Sequence, residues 1–296
     1  MSNIIKAEQL SKSYGKKIAV DKVSLNISDD CIVGLIGRNG AGKTTLMKMI
    51  AGLLDTTEGV LEVFGKPSMD NLGILENIVF TYHDLEYAKH SRLVEIIDAY
   101  STMYPNFDKG FAIKLLNYFS LDSKLKYKAL SQGMASIFNF ICGISCRAKL
   151  TMLDEPVLGM DVTVRKAAYE VLLHEFNENP RTIIISSHLL SEIESILSDI
   201  ILIDEGKLIL FDNIDDMRQS AYRVAGEQSD VEKFIENKNV IDKKVSLGDS
   251  CEAIIYEKLT DTPIDPKLTV SAVRAEDLCI YLTKENKEGE LKCLWE

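Results

Sequence analysis

The sequence predicts an α/β fold with a parallel sheet, followed by a small α+β module. A short apolar run at 31–37 is followed by a helical pattern at 44–54. Three more apolar runs, separated by helical segments, lie at 150–154, 182–188 and 200–206. Strands that alternate with helices in this way are typical of a parallel sheet. The glycine-rich loop between the first run and its helix marks the start of a strand–loop–helix unit.

Composition places the chain among ordinary globular proteins. Its 296 residues favour about two domains. The formal net charge of −11 argues against a broad basic surface for nucleic acid. No window approaches the ~18 apolar residues of a membrane helix, and the amino terminus lacks a signal core. We therefore expect a cytoplasmic chain. The six cysteines are expected to be buried free thiols: Cys31, Cys142, Cys146, Cys251, Cys279 and Cys293.

The rest of the chain divides at about residue 215. Residues 3–9 and 18–27 alternate in the manner of strands, with a turn at Gly15. Several helical stretches between 85 and 146 predict a helical insertion into the sheet. We therefore expect a first domain at 1–215 and an accessory module at 216–296 with the element order β-α-β-β-β-α.

The glycine-rich loop matches the phosphate-binding pattern G-x-x-x-x-G-K-[ST]. Glycines let the backbone N–H groups surround a phosphate, and the start of the next helix adds a positive dipole end. The lysine can reach the β- and γ-phosphates of ATP, and the threonine that follows it can bind Mg²⁺. This loop alone does not separate kinases, GTPases and ATPases. The residues expected to bind nucleotide are Gly37, Arg38, Asn39, Gly40, Ala41, Gly42, Lys43, Thr44 and Thr45.

Two adjacent carboxylates indicate ATP hydrolysis. Asp154 ends the apolar run at 150–154, where it can hold Mg²⁺ together with Thr44. Glu155 follows directly and can orient and polarise an attacking water. A lone Asp-Glu pair is more often an acidic strand end, but the upstream phosphate loop favours the catalytic interpretation.

Three further stretches carry a family resemblance. They are Leu130–Met134 (LSQGM), Val157–Asp161 (VLGMD) and His188 after TIIISS. In this order, with the loop and the carboxylates, they resemble the signature, D-loop and switch histidine of ABC-type ATPase subunits over about residues 1–215. The resemblance implies a P-loop NTPase with a RecA-like core, an antiparallel β segment and a helical subdomain at about 85–146.

The resemblance also implies roles for single residues. Ser131 and Gly133 would face the phosphate loop of a second subunit, so that two ATP molecules lie in a head-to-tail dimer. Asp161 would reach across that interface, and Tyr14 would stack on adenine. His188 would contact the γ-phosphate and align Glu155. Taken alone, Ser131 would be an ordinary helix cap, Tyr14 a packing residue and His188 a core histidine.

The chain departs from the family at two places. No glutamine is evident at the family's Q-loop position, and His83 falls nearest to it, beside Asp84. His83 is therefore a candidate third metal contact. The signature contains Gln132 and ends in Met134 but keeps its serine and glycine. We expect a competent composite site with slow hydrolysis.

Three functions fit these motifs. One is the ATPase motor of a transporter that pairs with a separate membrane permease, as a homodimer or with a related ATPase, on the inner face of the membrane. A second is a soluble ATPase acting on ribosomes or nucleic acid. A third is an ATP-binding regulator without useful turnover. The single cassette, the signature and YPNFD at 104–108 are similar to ABC-2 exporters of the bacitracin-resistance and peptide-export type. We therefore expect a transporter motor using ATP and Mg²⁺, with no nucleic acid partner.

Overall fold

The fold is described from a computed structural model that covers residues 3–82, 85–88, 90–246, 248–259 and 265–283. The chain divides into two compact units, Met1–Phe211 and Asp212–Glu296. The expected boundary, residue 215, lies in a short helix that Asn213 caps by accepting a hydrogen bond from the backbone N–H of Asp215. The division of the chain at that residue stays a prediction.

The first unit contains a six-stranded sheet that carries the motifs. Its strand order is β10-β9-β3-β8-β7-β6, and β6, β7, β8, β3 and β9 pair in parallel. Every residue of β3, β7 and β8 is buried, as the continuous apolar runs predict. The strands are β3 (Ile32–Ile36), β6 (Ile78–Thr81), β7 (Leu150–Asp154), β8 (Thr182–Ser187), β9 (Asp199–Asp204) and β10 (Lys207–Asn213).

A second, antiparallel sheet in this unit has the order β2-β1-β4-β5. The two predicted strands are present and longer than expected. The last two strands were not predicted, although the longer of them buries Leu61 and Val63. The members are β1 (Asn3–Tyr14), β2 (Lys17–Ser28), β4 (Glu58–Val63) and β5 (Lys66–Pro67).

Among its described residues the first unit has six helices, and three of them form the predicted helical block between β6 and β7. The first helix ends at Ile50, before the expected residue 54, because Gly52 adopts a positive φ of 67°. The helices are α1 (Lys43–Ile50), α2 (Leu72–Leu75), α3 (Leu93–Met103), α4 (Lys109–Tyr118), α5 (Gln132–Ser145) and α6 (Val162–Glu178). Three 3₁₀ turns add Tyr127–Ala129, Leu190–Glu192 and Glu194–Ile196.

The second unit has its own sheet and core. After the helix at 214–219, its elements follow the expected order β-α-β-β-β-α. The antiparallel strands have the order β12-β13-β11-β14, and Val224, Val231 and Ile255 are fully buried in the core of this unit. The elements are α7 (Ile214–Gln219), β11 (Tyr222–Glu227), α8 (Gln228–Ile235), β12 (Val240–Ser246), β13 (Ser250–Ile255), β14 (Thr269–Ala272) and α9 (Ala275–Leu282).

Two sequence expectations concern the whole chain. In the part of the chain that the structure describes, no helix is long and apolar enough to cross a membrane. Five cysteines are buried free thiols, as expected, and burial raises the pKa of Cys31 to about 12. The sixth, Cys293, lies outside the described residues.

Candidate active site

The phosphate loop joins β3 to α1, and its backbone lies close to two neighbouring strands. Gly42 precedes the helix with φ 108°, a conformation that favours glycine. A Cβ on Gly42 would lie 2.3 Å from the carbonyl oxygen of Ala19 in β2. A Cβ on Gly37 would lie 2.3 Å from the carbonyl oxygen of Ile203 in β9. The loop can therefore take this shape only with glycine at these two positions.

Lys43 places a buried ammonium group in this loop. The side chain is 6% exposed, and Nζ donates to the carbonyl oxygens of Gly37 at 2.7 Å and Arg38 at 3.3 Å. Nζ also lies 3.4 Å from Oε1 of Glu155. These oxygen atoms fix the ammonium group beside the start of α1. A bound phosphate there would contact both the ammonium group and the positive N-terminus of the helix.

Asp154 is held from two sides. Thr44 Oγ1 donates to its Oδ2 at 2.6 Å, and Ser186 Oγ donates to its Oδ1 at 2.5 Å. The aspartate is 2% exposed. A hydroxyl and a carboxylate that already face each other fit Mg²⁺, which prefers oxygen ligands and usually takes only one or two carboxylates from the protein. Within the described ranges, no three His, Cys, Asp or Glu side chains are grouped to hold a metal by themselves.

Ser186 was not predicted from the sequence. Besides its bond to Asp154, its Oγ accepts a hydrogen bond from the backbone N–H of Glu155 at 2.9 Å. One hydroxyl therefore fixes both carboxylate residues, and it does so where Glu155 has a strained φ of 48°. The available signal was the order of the strands: β7 pairs with β8 in parallel, with Asp154 opposite Ser186.

Glu155 lies between two of the predicted catalytic residues. Its Oε2 is 2.9 Å from Nδ1 of His188, and its Oε1 faces Lys43. The Glu155 side chain is 17% exposed, whereas that of His188 is 39% exposed. The carboxylate is thus oriented by its neighbours while the histidine stays accessible to a ligand.

These residues line one cavity of about 540 Å³. Tyr14 lies at this cavity with half of its surface exposed, and Lys12 Nζ is 5.5 Å from its ring centroid. Lys17, Ala19 and Leu158 also line it and were not predicted. The predicted residues that line it are Tyr14, Arg38, Asn39, Gly40, Gly42, Lys43, Thr44, Thr45, Asp154, Glu155 and His188.

Gly37 and Ala41 belong to the loop but are not among the residues lining the cavity. The carbonyl oxygen of Gly37 accepts from Lys43. Ala41 is buried, and its carbonyl oxygen accepts from the backbone N–H of Gly206. Both residues therefore shape the loop from below.

The signature and the D-loop contact each other, and Leu158 of the D-loop lines this cavity. Ser131 caps α5 by accepting a hydrogen bond from the backbone N–H of Met134. A Cβ on Gly133 would lie 2.4 Å from the carbonyl oxygen of Gly159, so glycine is required for this contact. Asp161 caps α6, and its side chain is exposed. The structure therefore does not bring Ser131, Gly133 or Asp161 to the phosphate loop of their own chain.

The Q-loop position follows Tyr82, at the end of the described segment 3–82. His83, the candidate metal contact, and Asp84 lie outside the described residues. Tyr82, just before them, accepts a hydrogen bond at its carbonyl oxygen from Nδ2 of Asn139 in α5. The role of His83 stays a prediction.

Comparison with known proteins agrees with this geometry. The profile of the ABC transporter family matches residues 20–158. The bacitracin transport ATP-binding protein BcrA of Enterococcus faecalis is 32% identical over 233 residues, covering 74% of this chain and 72% of that protein. The lantibiotic transport ATP-binding protein SrtF of Streptococcus pyogenes is 32% identical over 213 residues, covering 70% and 90%.

A solved structure shows the same fold. It is a dimeric ATP-binding cassette in a post-hydrolysis state, bound to ADP and phosphate. The TM-score is 0.64 at 19% identity, over 71% of this chain and 98% of that chain. The predicted P-loop fold and family resemblance are both confirmed. The chain belongs to the ABC transporter family and is an ATP-binding subunit with ATPase function.

Proposed function

We propose that this chain drives an exporter of peptide or antibiotic-like molecules, whose membrane-spanning permease is a separate chain. The observation that carries the motor function is the linked set of Lys43, Glu155 and His188 around one cavity. The cargo class is supported by the two relatives named for bacitracin and lantibiotic transport. Both relatives are ATP-binding proteins by name, so the cargo proposal concerns the assembly in which the subunit works.

The residues of the cavity divide the hydrolytic work among them. Lys43 and the N-terminus of α1 bind the β- and γ-phosphates. Glu155 orients a water, whose oxygen bonds to the γ-phosphorus as the bond to the β–γ bridging oxygen breaks; the water's proton passes to the carboxylate. His188 holds Oε2 of Glu155 in place during this step. Thr44 and Asp154 would hold Mg²⁺, which offsets the phosphate charge.

The position of the signature supports a two-chain arrangement. Ser131 and Asp161 are exposed and do not line the cavity of their own chain. The start of α5 nevertheless presents backbone N–H groups suited to a phosphate. We infer that two ATPase chains, identical or related, associate head to tail so that each signature completes the other chain's ATP site. Preferential ATP binding to the closed pair would then drive the conformational change.

An exposed apolar groove in the first unit supports a protein partner. Leu72, Met103 and Leu53 are 82%, 68% and 60% exposed and line a groove of about 450 Å³. Apolar side chains gathered in this way mark contact surfaces more often than isolated ones do. We infer that a cytoplasmic segment of the permease binds here, which would hold the chain at the inner face of the membrane.

The test is a pull-down from detergent-solubilised native cells, with partners identified by mass spectrometry. We expect a protein with several membrane-spanning helices to co-purify, together with any second ATPase. The double variant Leu72→Glu/Met103→Glu should lose it, whereas Val60→Glu, which changes another exposed apolar residue, should retain it. Recovery of ribosomal proteins in place of a membrane protein would overturn the proposal and favour a soluble ATPase.

The cargo class needs its own test. A strain lacking this chain should become more sensitive to at least one peptide antibiotic in a panel that includes bacitracin and a lantibiotic. Wild-type chain should restore resistance, and Lys43→Ala should not. Unchanged sensitivity to the peptides, with changed sensitivity to another chemical class, would leave the motor function standing and refute the peptide cargo.

A further inference from the structure

Arg165 joins two segments that flank the hydrolytic site. It lies in the first turns of α6, which Asp161 caps. One guanidinium nitrogen, Nη2, donates to the carbonyl oxygen of Met160 at 3.1 Å. The other, Nη1, pairs with Oε1 of Glu192. Glu192 belongs to the 3₁₀ turn that follows His188. One side chain therefore links the D-loop backbone to the segment that carries the switch histidine.

The surroundings of this side chain favour a fixed link. The side chains of Arg165 and Glu192 are only 23% and 24% exposed. The Nε of Arg165 is buried and makes no hydrogen bond in the described part of the chain. Arginine can bind two acceptors at once through its planar fork, whereas lysine presents a single point charge. The residue type thus matches the double contact.

The D-loop itself is connected closely to Glu155. The backbone N–H of Leu158 donates to the carbonyl oxygen of Glu155 at 3.2 Å, and the backbone N–H of Met160 donates to the carbonyl oxygen of Val157 at 3.1 Å. On the other side, Ser136 Oγ donates to the carbonyl oxygen of Leu158 at 2.7 Å. A displacement at Met160 would therefore reach Glu155 through consecutive hydrogen-bonded turns.

The next turn of α6 also lies within electrostatic reach of the site. Burial, and to a smaller degree the charge of Glu155, raise the pKa of the Tyr169 hydroxyl. This hydroxyl is buried without a hydrogen-bond partner among the described residues. The charge of Glu155 thus acts on a buried group of the helix that carries Arg165.

We propose that Arg165 is a positioning residue for ATP hydrolysis, which fixes the D-loop at Met160 to the His188 segment through Glu192. His188 and Glu155 then take up their working geometry together. Fixing the D-loop would also position Asp161 for a second chain, and this consequence rests on the proposed head-to-tail dimer. The effect of Arg165 on Glu155 and His188 is exerted within one chain.

The experiment compares steady-state ATPase kinetics and thermal unfolding of full-length variants. Arg165→Gln should lower kcat about tenfold to a hundredfold, the penalty of a catalytic group displaced by about 1 Å. KM for ATP and Tm should stay close to those of Lys166→Gln, a charge change at the exposed neighbouring position. Arg165→Lys keeps the charge but not the fork, and it should give an intermediate kcat.

A double-variant cycle separates the link from two independent effects. Glu192→Gln should also lower kcat, and combining it with Arg165→Gln should cause little further loss. Wild-type kcat in Arg165→Gln, a loss matched by a falling Tm, or fully additive effects would each overturn the proposal. ATP-dependent dimerisation of Glu155→Gln alone tests the dimer. A monomer there would refute the head-to-tail arrangement and leave the outcome for Arg165 to the kinetic cycle.

Discussion

His188 Nδ1 lies 2.9 Å from Glu155 Oε2, although the two residues follow different strands of the parallel sheet. Glu155 follows β7 and His188 follows β8, so the sheet brings them to one edge. If Nδ1 donates to the carboxylate, Nε2 can contact a phosphate oxygen only as an N–H donor, because phosphate oxygens accept hydrogen bonds. The pair therefore connects the group that we propose activates water to the group that we propose contacts the γ-phosphate.

The first prediction tests this pair. His188→Ala should lower kcat about a hundredfold, within the range of a lost acid–base or orienting group. ATP binding should change little, because Lys43 and the loop supply most phosphate contacts. Phosphate release measures kcat, and a fluorescent ATP analogue measures ATP binding. Unchanged turnover in His188→Ala would show that the hydrogen bond has no part in hydrolysis.

The second prediction concerns the ammonium group in the loop. Lys43→Ala removes the buried cation that three oxygen atoms surround, so ATP affinity should fall about a hundredfold or more and hydrolysis should be lost. Lys66→Ala, at an exposed position in β5, is the matched control and should behave as wild type. Retained hydrolysis in Lys43→Ala would refute the assignment of the phosphate loop.

The third prediction tests Ser186. Ser186→Ala removes the hydroxyl that holds both Asp154 and the backbone of Glu155. The Mg²⁺ concentration for half-maximal activity should rise about tenfold to a hundredfold, as when a group supporting a metal ligand is removed. Thr182→Ala removes a buried hydroxyl at the other end of the same strand and should leave the Mg²⁺ dependence unchanged. Equal effects of the two variants would contradict a specific role for Ser186.

The fourth prediction concerns stability. Glu175 is 4% exposed, and its Oε1 lies 2.9 Å from Arg147 Nε and 3.4 Å from Arg181 Nη1. Burial lowers the pKa of Arg181, and the charge of Glu175 opposes this shift. Glu175→Ala should reduce the free energy of unfolding by about 3 kcal/mol, because it leaves a buried charge unpaired. Urea denaturation measures the change, with the exposed Glu170→Ala as control. A loss below about 1 kcal/mol would contradict this account.

Local patterns explain what could be predicted from the sequence. The strand–loop–helix around Lys43 and the strand ending in Asp154 each depend on a few consecutive residues. Their chemistry is therefore readable in the chain itself. The second unit follows its predicted element order for the same reason. These segments carry strong alternation or helical periodicity.

Contacts between distant segments explain what could not be predicted. The link from Arg165 to Glu192 and the bonds of Ser186 exist only because strands and helices are brought together. The strands at Glu58–Val63 and Lys66–Pro67 are short: the first buries Leu61 and Val63, and the second has only two residues, so their apolar signal is brief. The early end of α1 depends on the backbone of Gly52, which composition alone does not reveal.

Glu155→Gln tests most directly whether two ATPase chains enclose ATP between them. This variant should bind Mg-ATP, hydrolyse it poorly and accumulate as a dimer, which light scattering after size-exclusion chromatography measures. Without ATP it should be a monomer, and adding Ser131→Arg should prevent the dimer without lowering ATP binding. Where the pull-down finds a related ATPase, the same measurement is made on the mixture. A Glu155→Gln chain that stays monomeric with saturating Mg-ATP, alone and with that related chain, would contradict the account.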